Sequence, residues 1–509
     1  MELRNLIERV FTYSEDSAII FTQLSFWIFF AVLLIGYSFI YKKSSVAKSI
    51  YLVLFSFFFY YKSSGTYFFL LVFATFMDYH IARGIFCSVK EVKRKWLVAL
   101  SVTVNLGILC YFKYAYFFTD VVNQLFNTSY EVVNIFSSAM NMLAGTEKFE
   151  ANNLILPVGI SFYTFQIISY TVDVYRRRVE PVRNILDFGF YVSFFPQLVA
   201  GPIVRAAEFI PQIYEKYSVT RREMWMSVFL ILNGLVKKIV ISDYISLNYV
   251  DRMFDDPLLY SGFELLMGTY GYALQIYCDF SGYTDIAIGV ALLLGFRLPI
   301  NFNSPYKAYN VQDFWRRWHI SLSTWLRDYL YIPLGGNRNG RVRTYINLII
   351  TMLLGGLWHG ASYKFIAWGA MHGIALAVNR FTKEHFSVFS RKFALPKALK
   401  VLITFHFVCL AWIFFRASSM AAALEIIGRI CSEFYVRFIP EILLGYKTVF
   451  LLMAAAFTIH FLPLRFKSWY RHKFVELPVV LKLLIIVFAV IIMYQASSAE
   501  LQPFIYFQF

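Results

Sequence analysis

From Ala18 to Tyr41 the chain runs about two dozen residues without a charged side chain, then meets Lys42, Lys43 and Lys48. At roughly 1.5 Å per residue, a helix of that length crosses the roughly 30 Å hydrocarbon core of a bilayer. The run is too long for the apolar core of a signal peptide, so it stays as a transmembrane helix. The lysines that close it mark the cytoplasmic side and put the N-terminus outside. Lipid offers no partner to backbone N–H and C=O groups, so a chain in which this pattern recurs satisfies them within each run, as an α-helix does.

The pattern does recur. Ile50 to Tyr61 and Tyr67 to Phe86 read as a down-and-back pair turning at Ser63-Ser64-Gly65, followed by Lys90, Lys93, Arg94 and Lys95. Trp96 to Phe118 leads out to an acid-leaning loop, 120–153, with Asp120, Glu131, Glu147 and Glu150, and Leu154 to Val174 returns to Arg176-Arg177-Arg178. Asp187 to Arg205 is broken by Pro196, Gly201 and Pro202, which implies backbone buried in protein or lining a cavity. Met224 to Ile241 holds Lys237 and Lys238, expected at an interface where lysines snorkel. Leu265 to Leu298 carries Gln275, Asp279 and Asp285 inside a membrane-like run, where ionisable groups face a cavity or a partner. Thr448 to Leu464 ends at Arg465, Lys467, Arg471 and Lys473, and Val479 to Tyr494 leaves the C-terminus outside. Roughly ten spans result, in an all-α polytopic membrane protein.

Composition agrees: 59% hydrophobic and 20% aromatic residues exclude an ordinary soluble enzyme. The net charge of +17 sits in short loops between apolar runs, so it sets topology and attracts anionic lipid or substrate, and no nucleic-acid partner is expected. The five cysteines are scattered without metal-ligand spacing, so neither a disulfide framework nor a bound metal is expected.

One segment departs from the pattern. From Thr344 an apolar run of about fifteen residues ends in Trp358-His359-Gly360 and resumes through Trp368 to His372. It is too short to span comfortably. Basic residues flank both ends (Arg338, Arg341, Arg343; Arg380, Lys383, Arg391, Lys392), so a re-entrant hairpin turning near Gly360 puts both flanks on one face and His359 near mid-membrane. An ionisable side chain there is a functional candidate, and imidazole suits general-base work near neutral pH. His372 reads as a supporting or structural residue.

Upstream, Asn310 to Leu330 reads as one helix with Asn310 as cap and an Asp313–Arg317 pair. Trp315, Trp318, His319, Leu322 and Trp325 follow the helical period on an apolar face, whereas Arg316 and Arg327 fall elsewhere. The bland reading of His319 is a buried, hydrogen-bonded structural histidine. Arg316, Arg317, Arg327 and Arg338 gather around the Gly335–Gly340 loop, where exposed amides and guanidinium groups suit the phosphates of a nucleotide-linked donor; the alternative is a loop that only sets orientation.

The stretch Asp313-Phe-Trp-Arg-Arg-Trp-His319 through Gly335-Gly-Asn-Arg338, with Leu354-Gly-Gly-Leu-Trp-His359-Gly-Ala361, resembles the membrane-bound O-acyltransferase (MBOAT) family, and more narrowly its bacterial alginate O-acetylation branch. Pro157 to Gln166, Phe195 to Pro202, Asp279 to Asp285 and Trp412 to Ala417 support the likeness, which is strong over 154–417. The resemblance implies a curved helical domain with a re-entrant hairpin and a central tunnel, opening to the cytoplasm for the donor and outside for the acceptor. It maps the tunnel histidine to His359 and a second functional position to His319. Residues 1–153 would supply N-terminal helices and an outer loop, 154–417 the catalytic core and 418–509 the C-terminal helices of one continuous membrane domain.

The expected reaction is acetyl transfer from a thioester, acetyl-CoA or another, as donor substrate, with no tightly bound cofactor. The expected acceptor is an exported or cell-wall polysaccharide, reached with a separate extracytoplasmic acetyltransferase partner from the bacterial inner membrane. His319, a nearby tryptophan such as Trp315 or Trp358, or Asn347 is the candidate to orient the donor or steady the oxyanion, and Gln275, Asp279 and Asp285 are candidates to line the tunnel. A transporter or flippase, or a scaffold subunit of a polysaccharide-modification complex, stays open on the residues alone, as does a peptidoglycan or teichoic acid acceptor.

Overall fold

In the computed structural model every regular element among the described residues (12–13, 19–145, 153–198, 201–385, 395–497 and 504) is helical. Ala18, Glu147, Glu150, Arg391, Lys392 and both termini, on which parts of the topology reading rest, lie outside the described residues. The helices that build and brace the site are α1 (Leu24–Ile40), α2 (Ser45–Ser64), α3 (Phe68–Cys87), α4 (Glu91–Phe126), α5 (Ile160–Tyr175), α6 (Ile185–Ser193), α7 (Arg221–Leu235) and α8 (Gly262–Leu293). After them come α9 (Val311–Trp315), α10 (Ile320–Leu326), α11 (Arg341–His359), α12 (Tyr363–His385), α13 (Lys397–Arg416), α14 (Lys447–Phe461), α15 (Leu464–Glu476) and α16 (Val479–Ala496).

Six helical segments among the described residues are long and apolar enough to cross a membrane, or seven if Val436–Gly445 and Lys447–Phe461, bent by 90°, form one broken span. This is fewer than the roughly ten expected. The two spans read on either side of Ser63-Ser64-Gly65 belong to one helical segment, Val46–Cys87, that runs through a single 3-10 turn. Elsewhere the chain breaks: the run around Pro196 forms only α6 and the four-residue helix Phe195–Leu198. That break is buried in protein. Phe195 N–H donates to Ser56 Oγ (3.3 Å), and the side-chain amides of Gln166 and Gln197 both donate to Tyr191 O (2.6 and 2.7 Å), replacing hydrogen bonds the helix no longer makes. Phe195 then interlocks with Phe26 and Phe29 of α1 and Phe59 of α2, ring centroids 5.4 to 6.3 Å apart.

Lys237 and Lys238 do not snorkel. They sit in a π-helical segment, Val236–Asp243, that continues α7 along α8. Lys237 Nζ lies 2.7 Å from Asp285 Oδ2, and Lys238 Nζ lies 2.8 Å from Asp243 Oδ1 and 2.5 Å from Asp279 Oδ1. Close contact makes this geometry available, since a Cβ on Gly234 would stand 2.4 Å from Gly282 O. The carboxylates that suited a substrate pathway are therefore internal counter-ions of two lysines. Gln275 donates to Ser246 Oγ (2.7 Å) and belongs to the same packed region.

Candidate active site

The hairpin forms as expected, from α11 and α12 packed antiparallel. Their backbones touch through glycine: a Cβ on Gly356 would lie 2.3 Å from Phe365 O, and one on Gly369 2.4 Å from Met352 O. Small residues permit this approach where no hydrophobic force separates helix from lipid. The chain reverses at Gly360–Ser362, which leaves the last carbonyls of α11 short of helical partners, although Leu357 O accepts the capping Gly360 N–H (3.1 Å). Two side chains of α4 satisfy them: Lys113 Nζ donates to Trp358 O (2.6 Å) and Tyr114 Oη to Leu357 O (2.5 Å). Sequence reading passed over Lys113, although a lone lysine inside the apolar run Trp96 to Phe118 is the kind of intramembrane charge that marks a site.

His359 ends α11, buried at 3% exposure in an aromatic cage, its ring 4.9 Å from Trp358, 5.0 Å from Trp368 and 5.2 Å from Phe415. The cage spaces three histidines with two tryptophans. The Trp358 ring also lies 6.1 Å from the His319 ring, and the Trp368 ring 4.8 Å from the His372 ring. His372 is buried and its Nδ1 accepts from Trp315 Nε1 (3.3 Å).

The helix expected over 310–330 is interrupted at His319, whose φ of 43° is left-handed. α9 ends before it, α10 begins after it, and 327–331 continues as a π-turn. Asn301 makes the interruption possible. Its carbonyl accepts Ile320 N–H (3.0 Å), and its Oδ1 accepts Ser321 N–H and Oγ–H (both 3.0 Å) and lies 3.3 Å from His319 Nδ1. The aromatic period runs on across the break, and so hid it.

Two cavities lie along α11, one at its tip and one against its middle. One of about 500 Å³ lies at the hairpin tip, lined by Trp358, His359, Gly360, Lys113, Lys364 and the 156–162 entry to α5. The other, about 860 Å³, is mainly basic: Trp315, Arg316, Arg327, Asn337, Thr351, Met352, Arg380 and Lys383 line it, together with Glu384, which pairs with Arg380 (2.7 Å). Thr351 precedes His359 by eight residues, roughly 12 Å along the helix. Gln275, Asp279 and Asp285 line neither cavity.

Other candidates take distinct places. Arg317 turns away from Arg316 to pair with Asp313 (3.0 Å). Trp318 is core, stacked on Phe314 and 5.0 Å from Trp412. Arg338 is exposed on the loop. Three of the loop amides are already engaged: Gly335, Gly336 and Arg338 N–H donate to Ile332, Tyr331 and Gly335 carbonyls. Asn347 donates to Gly336 O (3.0 Å) and stands twelve residues, roughly 18 Å, from His359, too far to steady an oxyanion formed there. It fastens the loop instead.

A polytopic helical protein with one cavity at a buried imidazole and a second, basic cavity roughly 12 Å back along the same helix has room for two substrates. Residues 102–423 match the MBOAT, membrane-bound O-acyltransferase family, and the chain belongs to that family, in the branch that holds the alginate O-acetylases. It is an integral membrane acyltransferase. It is 40% identical over 437 residues to a peptidoglycan O-acetyltransferase of Helicobacter pylori, covering 80% of this chain and 78% of that one. It is 42% identical over 334 residues to the probable alginate O-acetylase AlgI of Pseudomonas aeruginosa, covering 65% of this chain and 59% of that one. A teichoic acid D-alanyltransferase of Bacillus subtilis is 30% identical over 286 residues, 52% of this chain and 69% of the relative.

Proposed function

We propose that this chain transfers an acetyl group from a cytoplasmic thioester, acetyl-CoA or another, through the bacterial inner membrane, with both termini extracytoplasmic, for O-acetylation of an exported or cell-wall polysaccharide. The observation that carries the proposal is the placement of a basic cavity against the middle of α11 and a second cavity at its tip, lined by His359. Guanidinium groups of Arg316 and Arg380 suit the donor's phosphates, and the acyl end passes Trp315 toward His359. Imidazole takes the proton of the acceptor hydroxyl as its oxygen attacks the thioester carbonyl. The tetrahedral intermediate collapses, the C–S bond breaks, and the thiolate leaves with the proton held on the imidazolium. His319 sits across Trp358 and positions that ring. A separate extracytoplasmic acetyltransferase partner carries the acetyl group to the final glycan.

An alginate-like acceptor follows the branch. Peptidoglycan is the second reading, favoured by the greater length shared with the Helicobacter pylori relative. Mass spectrometry of surface glycans from a deletion strain separates the two by which one loses acetyl groups. The donor side is tested by Arg316→Gln combined with Arg380→Gln. Losing charge-assisted hydrogen bonds made equally in ground and transition states should raise KM for acetyl-CoA roughly tenfold or more and leave kcat little changed. An unchanged KM removes the donor from this cavity.

A further inference from the structure

A third cavity, about 960 Å³, opens between α8, α13 and α14, apart from the two along α11. Its lining mixes cations with apolar side chains. Ser304, Lys307, Arg317 and Lys397 share it with Val401, Leu402, Phe405 and Phe461, and with Tyr270 and His406, which are hydrogen-bonded to each other (2.7 Å). Lys397, Val401 and Phe405 climb one face of α13, a helix long and apolar enough to span a membrane, so cation and aromatic ring are separated by eight residues, roughly 12 Å. That is the spacing from a lipid headgroup to its upper acyl chains.

The cations outnumber their carboxylate partners. Lys467 joins them by donating to Ser304 Oγ (2.9 Å), and Lys307 donates to Leu462 O (2.5 Å). Of the four cations Lys307, Arg317, Lys397 and Lys467, only Arg317 has a carboxylate partner among the described residues, Asp313. Burial and then the neighbouring Arg317 push the Lys307 ammonium below its ordinary range; burial and then Lys307 push Lys467 down to about 8. Each group sits where an added anion is favoured.

We propose that this groove binds one phospholipid with an anionic headgroup, its phosphate at Lys307, Arg317 and Lys397 and an acyl chain along Val401, Phe405 and Phe461. A free anion uses only the cations, and a neutral lipid only the apolar side chains; the two together fit an acidic phospholipid. The site stands apart from the acyl-transfer reading, and its test does not use transfer activity.

The full chain is reconstituted in nanodiscs of mixed phosphatidylglycerol and phosphatidylcholine, released, and its retained lipid counted by native mass spectrometry. One phosphatidylglycerol per chain is expected in preference to phosphatidylcholine. Lys397→Gln, which alters an exposed side chain, should weaken retention about fivefold. Val401→Trp, which fills the apolar bed, should abolish it. Equal retention of the two lipids, retention unchanged in both variants, or complete displacement by inorganic phosphate would overturn the proposal.

Discussion

His359→Ala is expected to reduce acetyl transfer by roughly 10²- to 10⁴-fold, the contribution of a positioned general base, in a protein that remains monodisperse. The fold survives because the hairpin is held by contacts that do not involve the imidazole: glycine-mediated approach of α11 to α12, and Lys113 and Tyr114 on the tip carbonyls. The chemistry fails because the two other histidines of the cage stand behind its indoles. His319 is across Trp358 and His372 across Trp368, so neither moves into the vacated position without displacing a buried indole. Initial rates with labelled acetyl donor check this. His319→Asn, which tolerates the left-handed backbone, is the companion variant, and a smaller loss is expected because His319 acts through Trp358. Full activity in His359→Ala would remove the base assignment.

The largest expected effect on stability lies elsewhere, at Lys238→Met. That substitution leaves Asp279 and Asp243 buried together without the ammonium between them, and breaking a buried pair by removing one partner costs roughly 3–5 kcal/mol. A sharp fall in the thermal-unfolding midpoint in detergent should follow. Adding Asp279→Asn should restore part of the loss, since it removes one of the stranded charges. A single variant as stable as the parent would mean that these carboxylates are not held by Lys238.

Much of this was legible in the chain. The run ending in Trp358-His359-Gly360 announced the hairpin, because a helix too short to span and flanked by positive charge on both sides has to turn back. The basic cavity was legible as a cluster of arginines between 316 and 338, although Arg317 and Arg338 do not join it. What escaped were partners supplied from far away in sequence. Lys237 and Lys238 resembled snorkelling lysines because Asp285 and Asp279, which pair with them, lie 48 and 41 residues on, in another helix. Lys113 reaches a carbonyl 245 positions away. The break at His319 needs Asn301, whose hydrogen bonds replace helical ones at a point where the side-chain period gives no sign of interruption.

Electron cryo-microscopy of the reconstituted protein with a non-transferable thioether analogue of acetyl-CoA tests most directly whether donor and acceptor meet at His359. The analogue is expected with its phosphates among Arg316, Arg380 and Lys383 and its acyl end past Trp315, against His359. Density for the analogue in the tip cavity, or an acyl end that stops at Thr351 and Met352 with no path to the imidazole, would contradict it.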